Sequence, residues 1–572
     1  MPSSIRVDQN VPMTTRDGVT LRSDVYRPDD GEPHPAVLIR TPYNKQRKEG
    51  AYITPMQLAR ADYACVVQDT RGRFASEGVY VSMGPEGEDG YDAVEWVAAQ
   101  PWCNGNVGMA GGSYVGRTQW EAAEQAPPSL KAIAPAIALT GLIGDFERYG
   151  VIRFEAAVSW FLAMVPDIID RLESGGHDVA EAQRMAAQAR ANLDEVLLYL
   201  PFNEAPHFDF DGVREEFRRR ASDELPAGVV DEATLRFDFS RMNVAVLHVG
   251  GWYDIYVDGL FEAYKRMKQD APEAVRDRQH LICGPWTHGA ESPYLGALHF
   301  GPAAASAAAL VPEQHIRFFD RYLRGSDVEI PAVRYFVMGE NRWHNADTWP
   351  LPEARAERFF FSSGGDAGRS VAGGCLQGEA PSQDPPDVYS YDPHDPTPTQ
   401  GGRTLPGGKL TPGPLDQRDV EARGDVVSYS TGPLERPVEV SGPVRVHLFA
   451  SSSAVDTDFM AKLVDVYPSG AAFNVAEGVV RARYRNGLFA LQLLSPGEIV
   501  EYTIELATVS NSFLEGHRIR VDIASANFPY IDRNMNTGNA FGVDAIGEVA
   551  TQTIFHDAGR ASYVELPMLP AE

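Results

Sequence analysis

The stretch Met109-Ala110-Gly111-Gly112-Ser113-Tyr114-Val115-Gly116-Arg117-Thr118-Gln119-Trp120 decides how the chain is read. Val107 to Ala110 is apolar and suits a buried strand. From Arg117 onward good helix formers continue until Pro127-Pro128 stop them. Between strand and helix lies a tight turn with a serine at its tip. Gly111 stands two before Ser113 and Gly116 three after, where helix and strand must pack closely. Such a turn lifts the Ser113 Oγ above the strand ends and aims the Tyr114 N–H into the same space, as a nucleophile elbow does. The pattern is G-x-S-x-x-G, with its second glycine one place later than in G-x-S-x-G. An ordinary glycine turn reads the same way, so the rest of the chain has to supply the partners.

Outward from the turn, strand and helix signals alternate. Val19 to Arg27 alternates after the turn Asp17-Gly18, and Ala36 to Arg40 and Tyr63 to Gln68 are short apolar runs. Glu88 to Ala99 reads as an amphipathic helix, and Leu130 to Ala136 as the strand after the elbow helix. This rhythm predicts an α/β fold with a mostly parallel sheet. From about residue 142 the strand signal stops, and Arg153 to Met164 and Val179 to Leu200 read as helices. Strands resume at Val244 to Gly250 and His280 to Cys283, with a helix over Pro312 to Tyr322. A helical insertion between two halves of such a sheet sits over the strands' carboxyl ends, where ligands bind. Beyond Pro350 a Gly/Pro/Asp-rich join leads into strands only: Val438–Val440, Val444–Ala450, Phe459–Val466, Ile499–Leu506 and His517–Ile523. Period-2 alternation between turns predicts an all-β jelly roll. The expected layout is α/β over 1–141, a helical cap over 142–238, α/β again over 239–350, and a jelly-roll sandwich over 351–572.

At 572 residues the chain is too long for one core. Its formal charge of −28 argues against nucleic acid and anionic membrane partners, which need basic surface. The 4 cysteines, Cys65, Cys103, Cys283 and Cys375, fit neither a disulfide framework nor a zinc spacing. The N-terminus lacks a basic-then-apolar export segment, and no apolar run reaches the roughly 18 residues of a membrane span. A cytoplasmic protein is expected, and a homodimer is left open.

A serine nucleophile needs a base, and the base an orienting carboxylate. In α/β-hydrolase order these follow as Ser, Asp or Glu, then His, each just past a strand. The strand at Val244 runs into Gly250-Gly251-Trp252-Tyr253-Asp254, and the strand at His280 into Gly284-Pro285-Trp286-Thr287-His288. Asp254 and His288 are therefore the candidate acid and base, with Asp258 a rival acid four residues on. His248, His280, His299 and His315 lie within expected strands or helices and read as structural. The first oxyanion donor is the Tyr114 N–H. For the second, Arg40-Thr41-Pro42-Tyr43 offers the Tyr43 hydroxyl held by a rigid proline, although Tyr43 reads equally well as a packing residue.

Taken together, Pro42-Tyr43, Asp69-Thr70-Arg71-Gly72-Arg73-Phe74-Ala75-Ser76-Glu77-Gly78, Gly111-Gly112-Ser113-Tyr114-Val115-Gly116, Gly251-Trp252-Tyr253-Asp254 and Gly284-Pro285-Trp286-Thr287-His288 resemble the cocaine esterase and X-prolyl dipeptidyl-peptidase family of serine hydrolases. Asp456-Thr457-Asp458-Phe459 and Ala526-Asn527-Phe528-Pro529 extend the resemblance into the β region. It implies an α/β-hydrolase domain, a helical cap and a C-terminal jelly roll. It also implies Ser113 as nucleophile, His288 as base, Asp254 as orienting acid, and Tyr43 with Tyr114 as the oxyanion hole. Arg71 would pair with carboxylates near the elbow. Trp160 and Tyr256 are the best matches to an aromatic acyl pocket, with core packing as the alternative, and Leu405 on the Gly-rich join is a weaker match.

The expectation is a carboxylic ester hydrolase that works through an acyl-enzyme on a small-molecule ester or amide, with no cofactor and no metal. An amidase, a β-lactam acylase or an X-prolyl or aminoacyl peptidase would use the same triad. A carbohydrate-binding scaffold with an inert hydrolase domain is the alternative of another class, against which the intact Ser/Asp/His set argues. No carboxylate cluster for a free substrate amine is identifiable.

Overall fold

A computed structural model describes residues 4–47, 52–81, 86–141, 150–208, 214, 237–289, 292–368 and 373–570. The first part of the chain builds one ten-stranded sheet. Its strands are β1 (Ile5–Thr14), β2 (Thr20–Pro28), β3 (His34–Thr41), β4 (Ala64–Asp69), β5 (Cys103–Gly112), β6 (Leu130–Ala136), β7 (Ala245–Tyr253), β8 (Gln279–Thr287), β9 (Val333–Val337) and β10 (Arg342–Ala346). Their spatial order is β1-β2-β4-β3-β5-β6-β7-β8-β9-β10. Neighbours from β4 to β9 run parallel, and antiparallel strands close both edges.

Both faces of the parallel strands are covered, which is why their sequences are apolar throughout. In β3, Ala36 and Leu38 face a layer holding Val94 and Val97 of α2 (Glu86–Ala98) and Trp120 and Ala122 of α3 (Tyr114–Glu124). Val37 and Ile39 point the other way, toward Leu58 of α1 (Pro55–Arg60) and toward Phe318, Phe319 and Leu323.

The insertion after β6 is helical where it is described. The parts of the expected cap at 142–149, 209–213 and 215–236 lie outside the described residues. Its main helix, α4 (Phe154–Ser174), is longer than its sequence signal and carries Pro166 inside. The run read as one helix from Val179 to Leu200 is two, α5 (Ala180–Ala191) and α6 (Leu193–Leu198), broken where Asn192 takes φ −123° and ψ 50°. Asp167 of α4 pairs with buried Arg73 at 3.1 Å, and Arg171 donates to the carbonyls of Phe74 and Ser76. The cap is thereby tied to the loop after β4. The other end of α4 meets the β domain, where the N–H groups of Phe154 and Glu155 donate to the carbonyls of Tyr530 and Pro529.

The C-terminal region is an eleven-stranded, mostly antiparallel sheet closed on one apolar core, a jelly roll. Its spine is the pairing of Val438–Ser452 with Val500–Phe513. In the first of these, Gly442-Pro443 alone reads as a break between two strands. The sheet instead carries that dipeptide in register, Gly442 opposite Val509 and Pro443 opposite Thr508, with the bulge just after it between Pro443 and Arg445. Cys65, Cys103 and Cys283 are buried free thiols, and Cys375 is exposed. No helix among the described residues is long and apolar enough to cross a membrane.

Candidate active site

Strand β5 continues through Gly112, and α3 begins at once with Tyr114, three residues earlier than its composition suggested. Ser113 is left alone to make the turn and sits at φ 59°, ψ −127°. A non-glycine residue in such backbone costs about 1–3 kcal/mol and persists only where its surroundings force it. The two glycines explain how. A Cβ on Gly111, at φ 129°, would stand 2.3 Å from Val115 Cγ1, and one on Gly116 would stand 2.5 Å from Ala138 Cβ. The turn is closed by Ser113 N–H donating to Ala136 O at the end of β6, at 2.9 Å.

The candidate acid and base converge on this serine. His288 Nε2 lies 2.8 Å from Ser113 Oγ, and His288 Nδ1 lies 2.8 Å from Asp254 Oδ2. An ionised carboxylate only accepts, so Nδ1 carries the proton and Nε2 is left to accept from the serine. Asp254 is fully buried, and its other oxygen accepts the Tyr256 N–H at 2.6 Å. Asp258 faces away on α7 (Val257–Gln269), where it pairs with Arg403 at 2.7 Å.

The two candidate oxyanion donors are Tyr114 and Tyr43. Tyr114 opens α3, so its N–H has no acceptor within the helix. Tyr43 is half-buried on the loop after β3, and its ring meets the Tyr114 ring edge-on at 6.5 Å. The Trp160 indole N–H donates to the Tyr43 hydroxyl at 2.9 Å. Indole has no acceptor, so the phenol accepts in that bond and its own hydrogen is not consumed there.

Residues 17–290 match the family model described as X-Pro dipeptidyl-peptidase (S15 family), and residues 328–565 match that of the X-Pro dipeptidyl-peptidase C-terminal non-catalytic domain. Cocaine esterase of Rhodococcus sp. (strain MB1 Bresler) is 37% identical over 588 residues, covering 98% of each chain. The chain belongs to the cocaine esterase and X-prolyl dipeptidyl-peptidase family. Among solved structures, an aminopeptidase from a marine-sediment Thaumarchaeota archaeon is similar at a TM-score of 0.76 and 25% identity, covering 100% of this chain and 97% of that one. An α-amino acid ester hydrolase shares the fold at a TM-score of 0.75 and 24% identity, covering 99% and 97%.

The other residues that the family resemblance singled out lie as follows. Trp160 is half-buried on the cap helix, its ring stacked on Tyr114 at 6.3 Å and 11°. Tyr256 meets the His288 ring edge-on at 5.4 Å, and the Arg153 guanidinium lies over its ring at 5.1 Å. Leu405 is half-buried on a segment fixed at one end by Arg403 on Asp258 and at the other by Lys409 N–H on Glu155 of α4. Arg71 pairs with Asp89 of α2 at 2.6 Å and with Asp17 at 2.9 Å. Asp69, in the same family segment, accepts from both the N–H and the Nζ of Lys45.

Sequence reasoning missed the buried charges beneath the elbow. Tyr114 hydroxyl donates to Glu86 Oε1 at 3.1 Å, and Glu86 Oε2 lies 3.0 Å from Arg40. Arg117 pairs with Glu121 within α3. An acid at a helix start reads as a partner of the helix dipole, and nothing local marks Glu86 as buried.

Proposed function

We propose that this chain, a carboxylic ester hydrolase by its family, acts through an acyl-enzyme with Ser113 as nucleophile, His288 as base and Asp254 as orienting acid. The observation that carries the mechanism is the pair of 2.8 Å contacts made by the two nitrogens of His288. His288 Nε2 takes the Ser113 proton as Oγ attacks the ester carbonyl carbon, and Asp254 stabilises the resulting imidazolium. The carbonyl oxygen becomes an oxyanion between the Tyr114 N–H and the Tyr43 hydroxyl. His288 returns its proton to the leaving alcohol as the C–O bond breaks. Water then attacks the acyl-enzyme with His288 again as base, and the carboxylic acid leaves as Ser113 recovers its proton. Each step uses one general acid–base group and one nucleophile, so neither metal nor cofactor enters.

The ester reading is supported by the identity to cocaine esterase along the whole chain. Trp160 beside the oxyanion donors and Tyr256 beside the imidazole would flank an apolar acyl group from two sides, with Leu405 closing the wall. The family model and the archaeal aminopeptidase favour a second reading, cleavage of aminoacyl or prolyl amides by the same triad. A fluorophosphonate should label Ser113 in the parent and not in Ser113→Ala. Turnover of p-nitrophenyl esters well above that of aminoacyl and prolyl p-nitroanilides is expected. A preference for the anilides would select the peptidase reading, and absence of labelling would sink both.

A further inference from the structure

Three aromatic rings around Ser113 touch one another in a closed triangle. Tyr114 stacks on Trp160 at 6.3 Å, Tyr43 meets Tyr114 edge-on at 6.5 Å, and Trp160 N–H donates to the Tyr43 hydroxyl at 2.9 Å. Tyr114 is common to both oxyanion donors: it supplies one through its backbone and touches the other through its ring. The far end of that ring is fixed by a single side-chain bond, from its hydroxyl to Glu86 Oε1 at 3.1 Å. Both groups are buried, Tyr114 at 2% and Glu86 at 4% exposure.

We propose that Glu86 is a positioning residue for the oxyanion hole: through the Tyr114 hydroxyl it sets the ring against which both donors are registered. The inference rests on the reading of Tyr43 as the second donor.

The setting of Glu86 is costly, and packing alone does not account for it. A buried carboxylate is stabilised only by pairing and hydrogen bonding, and an apolar side chain would fill the space at less expense. Glu86 faces Arg40 of β3, Asp89 on its own helix, and Tyr114, Arg117 and Glu121 of α3. Arg40 is shared, since Asp89 also lies 3.8 Å from it. Burial, with the fields of Glu121 and Asp89, pushes the Glu86 carboxyl up to about 7 against the pull of Arg40 and the Tyr114 bond. An ionised carboxylate holds a phenol more strongly than a neutral one does.

The test is Tyr114→Phe, which deletes the hydroxyl and keeps both the ring and the backbone N–H, assayed on a p-nitrophenyl ester at about pH 8.5, where Glu86 is ionised. A loosened ring should lower kcat about tenfold and leave KM within about twofold, because the misplaced donors act on charge present only in the transition state. Glu86→Leu should give the same kcat loss, and the double variant no further loss, since both cut one bond. Removing the Tyr43 hydroxyl should cost less in the Tyr114→Phe background than in the parent. A merely structural role would give additive losses or a shift in KM. Should Glu86→Leu fail to fold, with Arg40 left only its longer ion pair with Asp89, Tyr114→Phe and its cycle with Tyr43→Phe decide alone. A Tyr114→Phe kcat within twofold of the parent, or full additivity with Tyr43→Phe, overturns the proposal. If Tyr43→Phe itself retains kcat, it is the oxyanion reading that fails. If Tyr43→Phe is impaired and Tyr114→Phe is not, only the positioning role of Glu86 fails.

Discussion

Asp258 lies four residues past Asp254, yet its carboxylate meets Arg403 of the join at 2.7 Å while Asp254 meets His288 at 2.8 Å. The two acids share a loop and a helix start and differ in what they face. Asp254→Asn should therefore lower kcat by about four orders of magnitude, because an amide at that place favours the wrong imidazole tautomer. Asp258→Asn should leave kcat within a few-fold and lower stability slightly, since Arg403 keeps its contacts with Glu477. Steady-state kinetics of the two variants check this, and the reverse order would reassign the acid.

The cap helix can be probed at Trp160 without losing its anchorage. Arg73 on Asp167 and Arg171 on the loop carbonyls hold α4 independently of the indole. Trp160→Ala should fold, raise KM and change the preference among acyl groups. Labelling of Ser113 by a small fluorophosphonate should persist, because that probe does not fill an acyl pocket. A protein that unfolds on this substitution would make Trp160 a packing residue.

Two buried histidines give the fold a pH dependence separate from catalysis. Burial lowers His248 on β7 to about 3 and His315, near the start of α8 (Val311–Arg324), to about 4. In the unfolded chain both titrate near 6.5. Below that pH the unfolded state binds protons that the folded state refuses, so folding is favoured above about 6.5 and loses support as pH falls toward 4. Each group contributes at most about 1.4 kcal/mol per pH unit in that window. Melting temperatures at pH 7.5 and 5 should differ less in His248→Gln than in the parent, although the variant starts lower because the ring packs on Trp120 and Tyr264. Parallel curves for the two proteins would remove His248 from this account.

What could be read in the sequence was set by local constraints or by strand ends. Gly111 and Gly116 mark the elbow because a Cβ at either place would collide with Val115 or Ala138. Asp254 and His288 follow buried strands directly, so the parallel sheet carries them to the same edge as Ser113. Tertiary effects hid the rest. The helix starts at Tyr114 because the strained backbone is confined to Ser113, which composition does not reveal. Pairing with Val500–Phe513 carries one strand through Gly442-Pro443, a dipeptide that alone reads as a break. β9 and β10 give little local signal because each is only five residues long: β9 is buried but for Arg334 and sits one strand in from the edge, and β10 is the partly exposed edge strand. Glu86 finds Arg40 from 46 positions away in sequence, and no local pattern reports such a partner.

A Tyr43 hydroxyl donor would separate this site from one built on backbone donors alone. Tyr43→Phe removes one hydroxyl, and with it the acceptor of the Trp160 N–H. If the hydroxyl donates to the oxyanion, its loss should cost about 3 kcal/mol of transition-state stabilisation, roughly a hundredfold in kcat. KM should move little, because that charge does not exist in the bound ester. The indole bond complicates a reading from stability alone, since leaving a half-buried N–H unsatisfied costs about 1 kcal/mol whatever the hydroxyl does in catalysis. Trp160→Phe provides the control: it removes the same bond from the other side and leaves the hydroxyl in place. The two variants should match in melting temperature and part in kcat, with Tyr43→Phe the slower by about tenfold or more. A Tyr43→Phe kcat within threefold of the parent would leave the Tyr114 N–H as the one donor assigned, and the wall formed by Tyr43 and Trp160 as packing.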